Sequence, residues 1–156
     1  MDETRWLDTG EQQTWRTFLS AVQVLHEQLD QQLKRDSRIS HTEYLILAMV
    51  SESADGTLTM SQLAKLLWFS ASRLSHVAAK LEARGWIRRH KLPTDARTNL
   101  VSLTDAGYAV LVEAAPGHVK RVREMVFEPL SPEQRGHLKE ISESILHASE
   151  RAKRQR

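Results

Sequence analysis

Two predicted helices separated by only a few residues constrain the fold of this chain more than any other feature of its sequence. Apolar residues recur every three or four positions in MSQLAKLLW at 60–68 and in ASRLSHVAAKLEARG at 71–85, which predicts an α-helix in each. Ser70 is a suitable N-cap for the second helix, and Gly85 is a suitable residue to end it. Because only WFS at 68–70 joins the two patterns, the sequence predicts a helix-turn-helix.

Two strand-like runs follow the second of these helices. WIRRH at 86–90 and NLVSL at 99–103 are typical of strands, and the polar stretch KLPTDART between them contains Pro93 and Asp95 as turn-forming residues. A hairpin directly after a helix-turn-helix is a wing. The predicted fold is therefore mainly α with a small two-stranded β wing, a winged helix-turn-helix over residues 40–103.

Four further helices bring the predicted total to six. Their predicted ranges are 9–36, 40 to the turn at 53–56, 104–127 and 131–150. Polar residues with N-capping spacing mark the starts of the helices: Thr9 with Gln12, Ser40 with Glu43, Thr59 with Gln62, Thr104, and Ser131 before Pro132. Pro116 interrupts the fifth pattern, so a bend or a break is expected there, because proline removes an intrahelical hydrogen bond.

The 156 residues have the length of one ordinary domain, with residues 1–8 as an N-terminal arm and residues 151–156 as a frayed tail. The first, fifth and sixth helices carry long apolar stripes that the winged helix alone is too small to cover. We therefore expect these helices to pack on the same elements of a second copy in a two-fold homodimer. Trp6 and Leu7, which are apolar residues of an acidic arm, are expected to pack on the partner subunit.

Positive charge is concentrated in one part of the chain. The net charge of the whole chain is only +2, but residues 1–70 carry −4, residues 71–97 carry +5 and residues 98–156 carry +1. The positive segment covers the second helix of the helix-turn-helix and the start of the wing. This distribution indicates an anionic partner for that part of the molecule.

Several classes of protein are excluded by composition. The chain has no cysteine, so a disulfide, a thiolate metal site and a thiol nucleophile are all ruled out. No stretch approaches the roughly 18 consecutive apolar residues of a membrane span, and the acidic N-terminus is unlike a signal peptide, so we expect a cytoplasmic protein with no membrane partner. Neither a catalytic motif nor a metal-ligand spacing is present, which predicts a protein without enzymatic activity, metal or cofactor.

The candidate site is a surface for double-stranded DNA. Polar and cationic residues at the exposed positions of the predicted recognition helix are suited to the major groove, where arginine bonds to guanine: Ser70, Ser72, Arg73, Ser75, His76 and Lys80. The polar and charged residues of the predicted wing are suited to contact with phosphates or the minor groove: Arg88, Arg89, Lys91, Asp95, Arg97 and Thr98. Asp95 is expected to orient the wing by accepting hydrogen bonds from Arg88, from Arg89 or from loop amides.

The segment at 59–107 resembles the core of the MarR (multiple antibiotic resistance regulator) family. LEARGWIRR at 81–89 and DARTNLVSLTDAG at 95–107 carry most of the resemblance, and the flanking helices agree with that family in number and position. The resemblance implies a triangular homodimer that dimerises through the first, fifth and sixth helices. It also implies a regulator of a pseudo-palindromic operator, commonly a repressor that a small aromatic ligand releases from DNA.

The resemblance also implies a ligand cleft between the dimerisation and DNA-binding regions. Four residues lie on the helices that would line it: Trp15, His26, His41 and Tyr44. Each of them has an alternative interpretation as an ordinary packed or solvated side chain. Without cysteine, the thiol-oxidation branch of the family is excluded as a way of sensing.

Other interpretations stay open at this point. A winged helix can serve as a protein interaction module without binding DNA, although the basic, hydroxyl-rich helix face beside Arg97 favours DNA. Ser61, at the start of the third helix, contacts a phosphate or is only a polar residue at a helix start. No residue distinguishes an activator from a repressor.

Overall fold

The computed structural model describes residues 4–92 and 94–154. Within these residues the elements are α1 (Thr9–Ser37), α2 (His41–Ser51), β1 (Thr57–Thr59), α3 (Met60–Leu66), α4 (Ala71–Ala83), β2 (Ile87–Leu92), β3 (Asp95–Leu103), α5 (Asp105–Val122), a π-helical turn (Arg123–Phe127) and α6 (Pro132–Arg154). The chain divides into two compact units, one up to His118 and the other from Val119. No helix in the described ranges combines the length and the apolar character needed to cross a membrane.

Helix α2 lies at the centre of the first unit. It is apolar on most of its surface, and it contacts α1, α3, α4, β1 and β3. The fully buried apolar side chains belong to α2 itself, to α1, α3, α4 and β3, and to the connection between α1 and α2: Leu33, Ile39, Ile46, Leu47, Val50, Leu63, Leu74, Ala78, Leu81 and Val101. Because the winged-helix region at 40–103 supplies most of these residues, it has a core of its own within one chain.

A tight turn joins α3 to α4. Trp68 adopts a left-handed backbone conformation with φ of 56°, and its N–H donates to the carbonyl of Lys65 at 3.2 Å. The N–H of Phe69 donates to the carbonyl of Ala64 at 3.0 Å, which completes a Schellman motif. Ser70 then caps α4 by accepting a hydrogen bond from a backbone amide of its first turn. The predicted helix-turn-helix and its Ser70 cap are confirmed.

The wing belongs to a sheet of three strands, not two. Strand β1 pairs antiparallel with β3, with Leu58 opposite Val101, and the strand order is β1-β3-β2. Three residues are too few to show an alternation of apolar and polar positions, so β1 gave no strand signal in the sequence. The hairpin is also longer than predicted, since β2 extends to Leu92 and β3 begins at Asp95. The prediction for Pro93 lies outside the described residues.

The base of the wing is fixed to the start of α5. The Thr104 hydroxyl donates to the carbonyl of Gly85 at 2.6 Å and accepts from the amide of Gly107 at 3.0 Å, so Thr104 caps α5 as predicted. A Cβ atom on Gly107 would lie 1.9 Å from the carbonyl oxygen of Trp86. Only glycine permits this approach of helix to strand, which explains the glycine at the end of the LTDAG sequence.

Two helices depart from their predicted details. The N-cap of α1 is Asp8, which accepts from the amide of Glu11 at 2.8 Å, so the predicted pairing of Thr9 with Gln12 is wrong. A carboxylate is the better cap because it also interacts favourably with the positive end of the helix dipole. Helix α5 does not break at Pro116 but continues to Val122, and the irregularity is the π-helical turn that follows.

The second unit consists of the end of α5, the π-helical turn and α6. Ser131 accepts from the amide of Gln134 at 3.2 Å, and Arg135 Nε donates to the carbonyl of Phe127 at 2.9 Å, which ties the start of α6 to the turn. Helix α6 extends to Arg154, so residues 151–154 are helical and not frayed. The last two residues of the predicted tail lie outside the described residues.

Candidate nucleic-acid interface

Helix α4 has one buried and one exposed face. Leu74, Ala78 and Leu81 are fully buried against the core, which fixes the rotation of the helix about its axis. The opposite positions are exposed and carry the side chains predicted for the major groove: Ser72, Ser75, His76 and Lys80. The structure therefore brings these four predicted residues together on one outward surface.

Arg73 lies at the start of this surface, but its guanidinium group is not free. It stacks over the ring of Phe69, with 4.0 Å from Cζ to the ring centroid, and its Nη2 lies 3.5 Å from the hydroxyl of Thr42. Neither Phe69 nor Thr42 was predicted as part of the site. Phe69 lies before the N-cap Ser70 and outside both helices, so the helical spacing rules gave no signal for its contact with Arg73.

Asp95 organises the tip of the wing. Its carboxylate accepts from the Thr98 hydroxyl at 2.7 Å and from the backbone amide of Arg97 at 3.0 Å. The Thr98 hydroxyl, followed by the Arg97 amide, lowers the pKa of Asp95, since both stabilise the ionised carboxylate. Of the predicted partners, a loop amide is the one found. The side chains of Arg97 and Lys91 are exposed.

Arg89 has a partner within the chain. Its Nη2 and Nε lie 2.5 and 2.9 Å from Oε2 of Glu82, and its backbone amide donates to Oε1 of the same carboxylate at 3.0 Å. The side-chain bond from Arg89 and then its amide lower the pKa of Glu82. Arg89 is thus directed at α4, whereas its neighbour Arg88 is exposed. Glu82 was missed in the sequence, although it and Asp95 are the two acidic residues of the basic segment at 71–97.

A polar groove of about 360 Å³ separates α4 from the hairpin. Its lining residues come from α3, α4 and both strands: Met60, Ser75, Glu82, Arg89, His90, Lys91 and Asn99. The groove places an exposed hydroxyl of α4 opposite the cationic side of the wing. Ser61, on the first turn of α3, is exposed and is not among the groove's lining residues.

Three of the four predicted ligand-site residues meet in a cluster with a fourth side chain that was not predicted. The Nδ1 atoms of His26 and His41 are 3.4 Å apart, and the rings of Tyr44 and His118 are 4.2 Å apart between centroids. The ring of His41 lies 5.3 Å from that of His118 and joins the two pairs. We call these four residues the histidine cluster. Trp15 does not belong to it but lies 6.4 Å from the ring of Phe18.

One atom of the histidine cluster, and one of Gln32 outside it, lack a hydrogen-bond partner in the part of the chain that the structure describes. Nδ1 of His118 and Oε1 of Gln32 are buried and have no partner among the described residues. Burial, followed by the charges of His118 and His26, lowers the pKa of His41 to about 4, and burial lowers the pKa of His118. His118 follows Leu111 and Ala114 at core spacing, and that position was the signal that it points inward. No group of His, Cys, Asp and Glu side chains in the described parts of the chain is arranged to hold a metal ion.

The chain is similar to known proteins in sequence and in structure. The family model described as "MarR family" matches residues 39–98. Sco3205, a MarR family transcriptional regulator from Streptomyces coelicolor solved in complex with DNA, is 44% identical, with a TM-score of 0.90 over 95% of this chain and 92% of its own.

Two further relatives are similar in sequence. The HTH-type transcriptional regulator PecS of Dickeya dadantii is 29% identical over 124 residues, which are 79% of this chain and 74% of PecS. The transcriptional repressor MprA of Escherichia coli K12 is 26% identical over 108 residues, which are 69% of this chain and 61% of MprA.

Proposed function

The chain belongs to the MarR family of transcriptional regulators, and on that premise we propose that it binds a pseudo-palindromic operator as a homodimer and recognises its sequence. The observation that carries the proposal is the outward surface of α4, which presents hydroxyl, imidazole and cationic groups beside a basic wing. The 44% identical Sco3205, solved in complex with DNA, supports it. The relatives are regulators, in agreement with the prediction that the chain is not an enzyme.

Helix α4 is proposed to enter the major groove. Arg73 would bond to O6 and N7 of a guanine, a pairing that the planar guanidinium group makes with two hydrogen bonds. Ser72, Ser75 and His76 would contact base edges or phosphates, and Lys80 would contact a phosphate. Ser70 contributes by capping the helix, so that its first turn keeps its position against the DNA.

The wing is proposed to contact the DNA backbone and the adjacent minor groove. Arg97 and Lys91 are exposed there and would neutralise phosphates or enter the groove, while Asp95 and Thr98 hold the shape of the tip. Two exposed residues would add phosphate contacts: Arg88 and Ser61. Since each phosphate contact releases counterions, affinity is expected to fall steeply with salt.

The homodimer is proposed from apolar side chains that the chain leaves exposed. On α1 they are Trp15, Phe18, Leu19 and Val22; on α5 they are Tyr108, Val112 and Val119; on α6 they are Leu138, Ile141, Ile145 and Leu146. A protein that functions as a monomer rarely exposes so many large apolar residues in continuous helical stripes. A second copy would cover them, and Trp6 and Leu7 would pack on that partner.

We further propose that the protein is a repressor and that a small aromatic ligand binds at the histidine cluster to release it from DNA. The repressor MprA among the relatives supports the first part. The buried Nδ1 of His118 supports the second, because a buried polar atom normally has a hydrogen-bond partner and a ligand could supply it.

Selection of bound duplexes from a random DNA pool by the purified protein tests the proposal. We expect an enriched inverted repeat whose half-sites are about one helical turn apart. Arg73→Ala should cost about 1–3 kcal/mol on that operator and relax the preference at one position of each half-site. Arg151→Ala, which removes an exposed arginine near the end of α6, is the control and should leave the preference unchanged. No enriched sequence would favour the alternative of a winged-helix protein interaction module without DNA binding.

A further inference from the structure

The position of Glu82 is unexpected for a DNA-binding surface. It lies near the end of α4 and lines the groove between α4 and the hairpin, together with the exposed Ser75 and Lys91. A carboxylate facing phosphates is repelled by them, so an unpaired Glu82 would weaken binding. Glu82 lies in a segment with seven basic residues, so we expect it to have a structural role that offsets this repulsion.

The hydrogen bonds of Glu82 show what that function is. One oxygen binds the guanidinium group of Arg89, and the other accepts the backbone amide of the same residue at 3.0 Å. Strand β2 is an edge strand, since the order is β1-β3-β2, and its free edge has amides without a partner strand. Glu82 therefore supplies an acceptor to the free edge of β2 and fixes that strand to α4 at one residue.

We propose that Glu82 is a positioning residue for the wing and that Arg89 acts through Glu82, not by contacting a phosphate. The pair sets the distance between the outward surface of α4 and the hairpin, and with it the reach of Lys91 and Arg97 when α4 lies in the major groove. This inference rests on the proposed DNA-binding function. It reassigns Arg89, which the sequence placed among the DNA contacts, to holding the wing in place before DNA arrives.

Binding of the selected operator by Glu82→Gln, Arg89→Gln and the double variant tests the proposal. Glu82→Gln should weaken binding about tenfold although it removes a negative charge from the DNA side, because the wing loses its fixed position. Arg89→Gln should weaken it to a similar extent without changing the slope of log Kd against log salt, and the double variant should be no weaker than either. Lys91→Gln is the matched control and should flatten the slope by about 1.8, since the dimer loses one phosphate contact in each of its two subunits.

Tighter binding by Glu82→Gln together with a slope flattened by about 1.8 in Arg89→Gln, about 0.9 for each subunit, would show that Arg89 contacts a phosphate directly, and would overturn the proposal. Thermal unfolding of each variant detects general loss of structure, which would appear as a lower melting temperature.

Amide hydrogen exchange of the free protein provides a measurement that does not depend on DNA. In Glu82→Gln, exchange at Arg89 and its neighbours in β2 should accelerate, while amides of the central helix α2 keep the exchange of the parent chain. Unchanged exchange in β2 would overturn the holding role. Failure of the parent chain to bind any duplex would instead overturn the proposed function and the wing's part in it, and the exchange result would still show whether Glu82 holds β2.

Discussion

The winged-helix region at 40–103 and helix α6 use similar apolar residues in opposite ways. In the winged-helix region Ile46 and Leu74 are completely buried. In α6, Ile141 and Ile145 remain 54% and 45% exposed, although they recur with the spacing of a core-facing stripe. The first region has a completed core within one chain, whereas the second has only one side of a core.

This difference distinguishes the free energy of folding of the single chain from the free energy of association of two chains. Burial in the winged-helix region contributes to folding of the single chain, at about 25 cal/mol for each Å² of apolar surface removed from water. The same contribution becomes available to α6 only when a second copy covers its stripe. Substitutions in the two regions should therefore change different measurable quantities.

The largest expected effect is on folding. Leu74→Ala should reduce the free energy of unfolding by about 2–5 kcal/mol, because it removes three buried carbon atoms and leaves a cavity between α4 and the core. Urea unfolding followed by circular dichroism measures it. The neighbouring exposed residue gives the control, and Ser75→Ala should change stability by no more than about 0.5 kcal/mol. Equal effects of the two substitutions would contradict the buried face assigned to α4.

The next effect should appear in association and not in folding. Ile141→Asp places a charge in the exposed stripe of α6, and two-fold symmetry makes each substitution count twice, so the dimer should dissociate about a hundredfold more readily. Sedimentation equilibrium measures the dissociation constant. His147→Asp, on the opposite face of α6, should leave it unchanged. A dimer that tolerates Ile141→Asp would place the contact between subunits on another surface.

A smaller effect depends on pH and concerns the histidine cluster. The pKa of His41 is about 4 in the folded chain and 6.5 when it is free, so the unfolded chain binds more protons between these values. Stability should therefore fall as pH is lowered through 6.5 and level off below about 4, with a loss on the order of 2 kcal/mol after allowance for partial exposure to solvent. Unfolding curves from pH 7.5 to 4 test this. His41→Gln should flatten the dependence, and His147→Gln, which changes an exposed histidine, should not.

Features set by neighbouring residues were predictable from the sequence. Ser40, Thr59, Ser70, Thr104 and Ser131 cap helices as expected, because a cap depends on residues within one turn. The turn at WFS and the hairpin were predictable for the same reason. The cap of α1 was misplaced by one residue because Thr9 and Asp8 both offer an acceptor of suitable spacing.

Features that join distant elements were not predictable. Strand β1 is identifiable only from its pairing with β3, and the bond between Glu82 and Arg89 requires the geometry of helix against strand. His118 meets His41 only because α5 packs near α2. In each case a local pattern gives the type of residue but not its partner, so the candidate site was predicted as a set of residues and not as an arrangement.

The contact between Gly107 and Trp86 links the orientation of the hairpin to that of α5. Backbone meets backbone there, with no side chain that could deform, so we expect the start of α5 and the base of β2 to turn together. A strand rises about 3.3 Å per residue, so Leu92 lies about 17 Å beyond Ile87. A tilt of the hairpin by about 6° at its contact with α5 would therefore displace its tip by about 2 Å. A rotation of α5 by this angle would therefore move the tip by about two-thirds of the length of a hydrogen bond.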